Sequence, residues 1–397
     1  GAYFILSSID LIHVHSSALS EPLFIFLGLA SLVCMSGYLE RGRGWMLVAS
    51  AVAGSLSFAA RYPGVSFVIA AAGGLIFFHR EPPSRRLRDL AVLLAVGCGP
   101  MSVWMVRNLS LTGVAAGSAA GVEVAVRPWV SGVLMAGLQT VTAWVLPTVV
   151  PFPVRLVVFV GGVVLLALAA LLLLRKRASG GLRTGGALPP ALASLPYLLL
   201  IFDAVYLGLV MVSVATAGQG TLDRRFLAVV FVTVVVVMAC FAHRFARGAP
   251  SAPLARYVFS AALVLLGAIY LASASTWILR SHLNGLGYSG RMWKQSEIME
   301  QVALLPPNVD IYSNGADAIY LLTGRPAHWI PVGGASGVDA HREQIADMKQ
   351  RLTEGRAVVV YLYLITWRSH FPSAEDLAAL LHLRLLVDGA DGAIYAG

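Results

Sequence analysis

Apolar positions in this chain do not alternate with polar ones. They collect into long runs near Pro22 to Leu39, Trp45 to Ala60, Gly64 to Phe78, Leu90 to Val106, Val154 to Leu174, Leu192 to Val214, Phe226 to Phe241 and Tyr257 to Trp277. A helix rises 1.5 Å per residue, so about twenty apolar residues cross a hydrocarbon core roughly 30 Å thick. The pattern predicts a polytopic α-helical membrane protein with about eight complete spans and a partial one over Ala2 to Ile12. The stretch Trp129 to Leu146, bounded by Pro128 and Pro147, can lie in the interface as an amphipathic helix or dip back into the membrane. The interfacial reading is favoured, because a full span here would invert every later loop against its charge.

After Trp277 the pattern changes. Asn308 to Tyr312, Ala357 to Leu362 and Leu383 to Val387 read as buried strands, and Trp293 to Leu304 and Ala340 to Leu352 as amphipathic helices. Two domains follow: a transmembrane domain over 1–277 and a small soluble α/β domain over 278–397.

Basic residues set the expected orientation. Alternate loops carry thirteen of them: Arg41 and Arg43; Arg80, Arg85, Arg86 and Arg88; Arg175, Lys176, Arg177 and Arg183; Arg244, Arg247 and Arg256. The opposite connections carry six, namely Arg61, Arg107, Arg127, Arg155, Arg224 and Arg225. Basic loops stay cytoplasmic, so the second set and the C-terminal domain are expected to face outward. The C-terminal domain is then expected to be extracytoplasmic.

Composition agrees with a membrane solvent: 58% of the 397 residues are hydrophobic and 12% charged, against roughly a quarter charged in soluble domains. The formal net charge of +9 sits mostly in short loops, a topology signal and not a nucleic-acid groove. Cys34, Cys98 and Cys240 all lie in apolar runs and suggest neither a disulfide framework nor a zinc site. No P-loop, Rossmann fingerprint, nucleophile elbow or Cys-x-x-Cys pair is present. The chain opens Gly1-Ala2-Tyr3, on what reads as the tail of a helix, and is expected to be N-terminally incomplete.

Polar residues that could carry chemistry gather at the outward ends of the runs. His13, His15 and Glu21 lie in His13-Val14-His15-Ser16-Ser17-Ala18-Leu19-Ser20-Glu21-Pro22. Ser20 can cap the next helix, Glu21 suits its positive end, and the two histidines with Glu21 are weak candidates for a divalent metal. Arg61-Tyr62 precede a Pro63-Gly64 break, Arg107-Asn108 follow another span, and Asp223-Arg224-Arg225 open a later one. An arginine can fork two donors toward a phosphate, or snorkel to lipid headgroups. Four arginines on one side would form an anion site at membrane depth, suited to a lipid-linked phosphate.

These motifs resemble those of the GT-C membrane glycosyltransferases, in particular bacterial relatives of the protein O-mannosyltransferases and of the aminoarabinose transferase that modifies lipid A. The resemblance rests on His15 to Phe24, Arg61 to Gly64, Arg107-Asn108 and Asp223 to Phe226. In the soluble domain it rests on Ile311 to Asn314, Asp317 to Tyr320 and Thr323 to Pro326. It implies transfer of a sugar from a polyprenyl-phosphate donor to a glycan, lipid or protein acceptor on the outer face, with inversion. It also implies a bacterial-type inner membrane. By physical reasoning Arg61, Tyr62, Arg224 and Arg225 are expected to bind the donor phosphate, while His15, Glu21, Arg107, Asn108 and Asp223 shape the acceptor or sugar pocket. The catalytic Asp of such enzymes sits in the first outer loop, expected upstream of this sequence; Asp10 is a poor substitute for it. The competing classes are a transporter or flippase of a lipid-linked or anionic substrate and a sensor with an outward receptor domain.

Overall fold

The computed structural model describes residues 1–113, 115, 126–164, 193–217, 222, 224–248, 253–331, 338–366, 368 and 371–397, apart from Ala18 and Arg80. Contacts divide the chain into a first unit that runs to Trp277 and a second from Ile278 to Gly397.

The partial run at the start is two helices and not one, α1 (Ala2–Leu6) and α2 (Ile9–Ser16). Ser8 adopts an extended backbone, and the Ser7 hydroxyl donates to Tyr3 O at 2.7 Å, competing with the backbone ladder at the break. The following helices are α3 (Glu21–Arg41), α4 (Gly44–Ala60), α5 (Val65–Phe78), α6 (Pro83–Thr112) and α7 (Val126–Ala143). They continue with α8 (Phe152–Val164), α9 (Leu195–Ala217), α10 (Arg224–Gly248) and α11 (Pro253–Asn284).

Among the described residues five helices are long and apolar enough to cross a membrane: Glu21–Arg41, Pro83–Leu111, Leu195–Ser213, Arg224–Ala242 and Ser260–Asn284. These are the helices of an integral membrane protein. Among the described residues the expected count of eight is therefore not reached. The runs Trp45 to Ala60 and Gly64 to Phe78 form the shorter apolar helices Gly44–Ala60 and Tyr62–Phe78. Seventeen residues span only about 25 Å, short of a hydrocarbon core. The run Val154 to Leu174 contributes Phe152–Val164, and its remainder lies outside the described residues. The Trp129 to Leu146 stretch is largely α7, which packs on α10 and is not among the five.

Small residues bring α3, α4 and α5 together. A Cβ at Gly28 would meet Phe67 Cε2 at 2.0 Å, so the absent side chain is what admits the Phe67 ring. That ring stacks on Phe202 of α9 with centroids 4.0 Å apart and planes 12° apart. Ser31 donates to Ser50 O at 2.8 Å and Ser57 to Phe24 O at 3.1 Å, so the α3–α4 contact is both close and hydrogen-bonded. This is how helices associate where lipid removes any hydrophobic drive. Because Gly42 (φ 65°) turns the chain back between them, the start of α3 and the end of α4 lie side by side.

The second unit is a five-stranded sheet with order β2-β1-β3-β5-β4. Its strands are β1 (Asp310–Ser313), β2 (His328–Trp329), β3 (Ala357–Leu362), β4 (Arg384–Gly389) and β5 (Gly392–Ala396). β1 pairs in parallel with β2 and β3, and β5 pairs antiparallel with β3 and β4. Its helices are α12 (Arg291–Lys294), α13 (Glu297–Leu304), α14 (Ala316–Thr323), α15 (Val338–Thr353) and α16 (Ala374–Leu381). The expected helix Trp293 to Leu304 is broken at Gln295, because Ser296 accepts from Met299 N and starts α13 afresh.

Candidate functional site

Glu21 opens α3, and its carboxylate is 2% exposed. Ser20 does not cap the helix as expected: its backbone is already helical (φ −76°, ψ −13°), where a serine side chain does not reach the first free N–H groups. Glu21 turns instead to two cations from distant helices. Arg225, on the first turn of α10, places Nε 2.9 Å and Nη2 2.8 Å from Glu21 Oε1. Arg61 forms an ion pair with the same oxygen. Glu21 Oε2 is buried and makes no hydrogen bond among the described residues.

The backbone around Arg61 explains its reach. Arg61 leaves α4 in an extended conformation (φ −155°, ψ 137°), and a 3-10 turn over Tyr62–Gly64 follows at once. Gly64 is packed against the α4 backbone so tightly that a Cβ would lie 2.4 Å from Ser57 C and O. The Arg61 guanidinium also lies over the Phe226 ring, 5.6 Å from its centroid, and Tyr206 of α9 holds Phe226 O at 2.8 Å. α3, α4, α9 and α10 thus all fix this one ion cluster.

Successive residues of a helix point about 100° apart, so Arg224 cannot share the Glu21 oxygen with Arg225. It pairs with Asp10 Oδ1 at 3.6 Å, and both line a cavity of about 80 Å³ with Ser7, Trp144 and Tyr270. Tyr270 donates to Trp144 O at 2.5 Å, whereas Trp144 Nε1 is buried and has no hydrogen-bond partner among the described residues. Asp10 is 13% exposed and Arg224 54%. The expected group of three phosphate-binding arginines is therefore split in two: Arg61 and Arg225 on Glu21, and Arg224 on Asp10. Sequence reading missed the Trp144 and Tyr270 wall. Its only signal was an aromatic-rich stretch, with nothing to tie it to Asp10 more than 130 positions away.

Among the described residues three guanidinium and two carboxylate groups meet in this region. The guanidinium groups of Arg61 and Arg224 each carry five N–H donors, more than one carboxylate oxygen takes up, and can turn others toward a further oxyanion.

The other expected residues lie elsewhere or are differently engaged. Arg107 is exposed and lies 5.3 Å over Trp104; Asn108 is buried and donates to Ala115 O at 3.5 Å. His15 Nδ1 is 2.8 Å from Leu11 O within its own helix, and His13 meets the Trp277 ring at 6.0 Å. Tyr62 sits in the turn after Arg61, 40% exposed. Asp223 lies outside the described residues. His13, His15 and Glu21 do not converge, and no group of three metal-ligating side chains occurs among the described residues. Both arginines already hold Glu21, so the proposed metal loses its carboxylate.

In the second unit the motif residues mostly build the fold. Arg325 clamps the loop before β1, donating to Val302 O, Leu305 O, Pro306 O and Val309 O. Asn314 is 1% exposed and exchanges two hydrogen bonds with the Leu362 backbone, at 3.0 and 2.9 Å, extending the β1–β3 pairing past Ser313. Arg368 grips Asp317 with two bonds, 3.0 and 2.7 Å, and lies 4.5 Å over Trp329. Burial alone would raise the Asp317 carboxyl. Hydrogen bonds from Arg368 and Tyr288 outweigh it and hold the group below its ordinary value.

No family model matches the chain, and neither a curated protein nor a solved structure matches it.

Proposed function

We propose that the chain is a GT-C-type membrane glycosyltransferase that moves a sugar from a polyprenyl-phosphate donor to a glycan, lipid or protein acceptor, with inversion. The observation that carries this reading is Arg61 and Arg225 meeting on one buried oxygen of Glu21, with Arg224 alongside on Asp10. A carboxylate this deep would not survive alone, and two cations would not gather without it. The result is a fixed cluster of arginines at one end of a bundle of apolar helices.

Breaking a sugar–phosphate bond leaves charge on the lipid phosphate. Fixed guanidinium donors stabilise that charge without reorganising, which is where a membrane transferase needs them. The basic-loop pattern supports an outward position for this end of the helices, where a flipped lipid-linked sugar would present its phosphate. Membrane lipids and the carrier are the partners this reading requires.

One observation favours the rival transport reading. Asp203 is 9% exposed within a spanning helix and accepts from Thr233 at 2.6 Å, and ionisable groups inside a membrane often mark a transport path. Supplying the protein in membranes with radiolabelled polyprenyl-phosphate sugars separates the two. Transfer that collapses in Arg61→Ala and Arg225→Ala at unchanged expression supports the transferase. Substrate flux without transfer, sensitive to Asp203→Asn, overturns it.

A further inference from the structure

The sheet of the second unit has a point where its strand order reverses. From β1 the chain passes through α14 to β2 on one side, then through α15 to β3 on the other. In parallel α/β sheets ligands bind outside the carboxyl ends of the strands at such a point. Here a cavity of about 670 Å³ opens nearby, within the range of small-molecule sites. Leu364, two residues beyond the end of β3, forms part of its wall, as does Tyr288, whose hydroxyl donates to Asp317 just beyond β1 at 2.9 Å.

The wall is a constructed one. Gly285 (φ 76°) and Gly287 (φ 52°) take left-handed conformations that a side chain would strain, and a Cβ on Gly285 would lie 2.7 Å from Ser289 O. Hydrogen bonds from Gly285 N to Ser281 O, Ser289 N to Leu286 O and Gly290 N to Gly287 O close the loop. Tyr288 is pinned at both ends, by Asp317 at its hydroxyl and by Trp293 at its ring, 5.1 Å away and edge-on.

The chemistry of the lining is specific. Aromatic surface comes from Tyr288 and Trp293, an amide from Asn284, backbone polar groups from the glycines and a cation from Arg291. Arg325, Arg351, Arg356 and Arg368 are all committed to carbonyls or carboxylates. Arg291 has no such partner among the described residues and stands exposed on the cavity wall. Aromatic faces take the apolar C–H side of a sugar ring, amide and backbone groups take its hydroxyls, and a guanidinium takes a carboxylate.

We propose that this cavity binds a saccharide carrying an acidic group, the ring against Tyr288 and the acid on Arg291. In the transferase reading it would be the seat of the acceptor, and only that role rests on the reading.

The test is calorimetric titration of the whole protein in neutral-lipid nanodiscs. The probes are a tetrasaccharide alternating glucuronate with N-acetylglucosamine and neutral chitotetraose. The acidic probe should bind at least about tenfold more tightly, and Arg291→Ala should remove that preference. Tyr288→Phe, which keeps the ring and loses only the bond to Asp317, should weaken both probes alike. Arg225→Ala should leave binding unchanged while abolishing transfer, so failure of the transfer reading leaves this result standing. Equal binding of the two probes, no binding of either, or indifference to Arg291→Ala overturns the proposal. So does loss of the acidic probe in nanodiscs containing anionic lipid, which would make Arg291 a lipid-headgroup contact.

Discussion

Arg225 lays both Nε and Nη2 on a single oxygen of Glu21, at 2.9 and 2.8 Å, across 204 positions of sequence. A side-on grip of this kind fixes the plane of the guanidinium. Glu21 is thus the orienting residue of the site, and its own charge is a requirement for the two cations around it.

Glu21→Gln keeps the volume and removes the charge. Both guanidinium groups then lose their counter-ion. A fully buried pair broken on one side costs about 3–5 kcal/mol, but Arg225 is 46% exposed and Arg61 20%, so water screens part of the loss. A destabilisation of about 1–3 kcal/mol is expected, read as a lowered thermal midpoint in detergent. A variant as stable as the parent would show that the ion cluster is incidental to the fold.

Gly64→Ala tests the backbone that presents Arg61 without touching any charge. The new methyl would press on Ser57 and Phe58 backbone atoms at 2.4–2.5 Å, and backbone cannot yield as a flexible side chain can. The 3-10 turn must shift, carrying Arg61 off Glu21. Crosslinking between cysteines placed on α3 and in the Tyr62–Gly64 turn should fall, and transfer should fall with it; retention of both would refute the link.

Asp317 gives the second unit a defined acid sensitivity. Its folded pKa is depressed, so the unfolded chain takes up a proton first as pH falls through the ordinary value of 3.8. The stabilisation by Arg368 is therefore present above about pH 4 and lost as pH falls through the lower, folded pKa. Asp317 is 43% exposed, which limits the effect to about 1 kcal/mol or less. Pepsin cleavage within 278–397 should rise below about pH 4 in the parent. In Arg368→Met it should already be raised at pH 5 and climb less steeply. Parallel curves would place the acid sensitivity elsewhere.

Much of this architecture is legible in the apolar pattern. The runs at Pro22 to Leu39, Leu90 to Val106 and Phe226 to Phe241 became long helices, because twenty apolar residues in lipid have few other ways to satisfy their backbone. β3 matches Ala357 to Leu362 residue for residue. The failures are local. A hydropathy run cannot show that Ser7 and Ser8 would break a helix, nor that two runs are a turn too short to cross. In the second unit, β2 has only two residues and rests on β1 alone for its register, leaving no periodic signal.

The site was half legible. Glu21, Arg61, Arg224 and Arg225 stood out as polar residues at the ends of apolar runs, but their sharing was not readable. That Arg225 takes Glu21 while Arg224 takes Asp10 follows from the 100° step along α10, and needs the positions of α2 and α3. Arg107 and His15 carry the same motif-like appearance, yet serve Trp104 and the local helix.

The measurement that bears most directly on the central claim is binding of a polyprenyl monophosphate to the protein in nanodiscs, compared with Arg61→Ala and Arg225→Ala. If the two guanidinium groups hold the carrier phosphate, each substitution should weaken binding about tenfold or more, and polyprenol without its phosphate should not compete. Equal affinity in parent and variants, or full competition by the uncharged alcohol, would contradict the account.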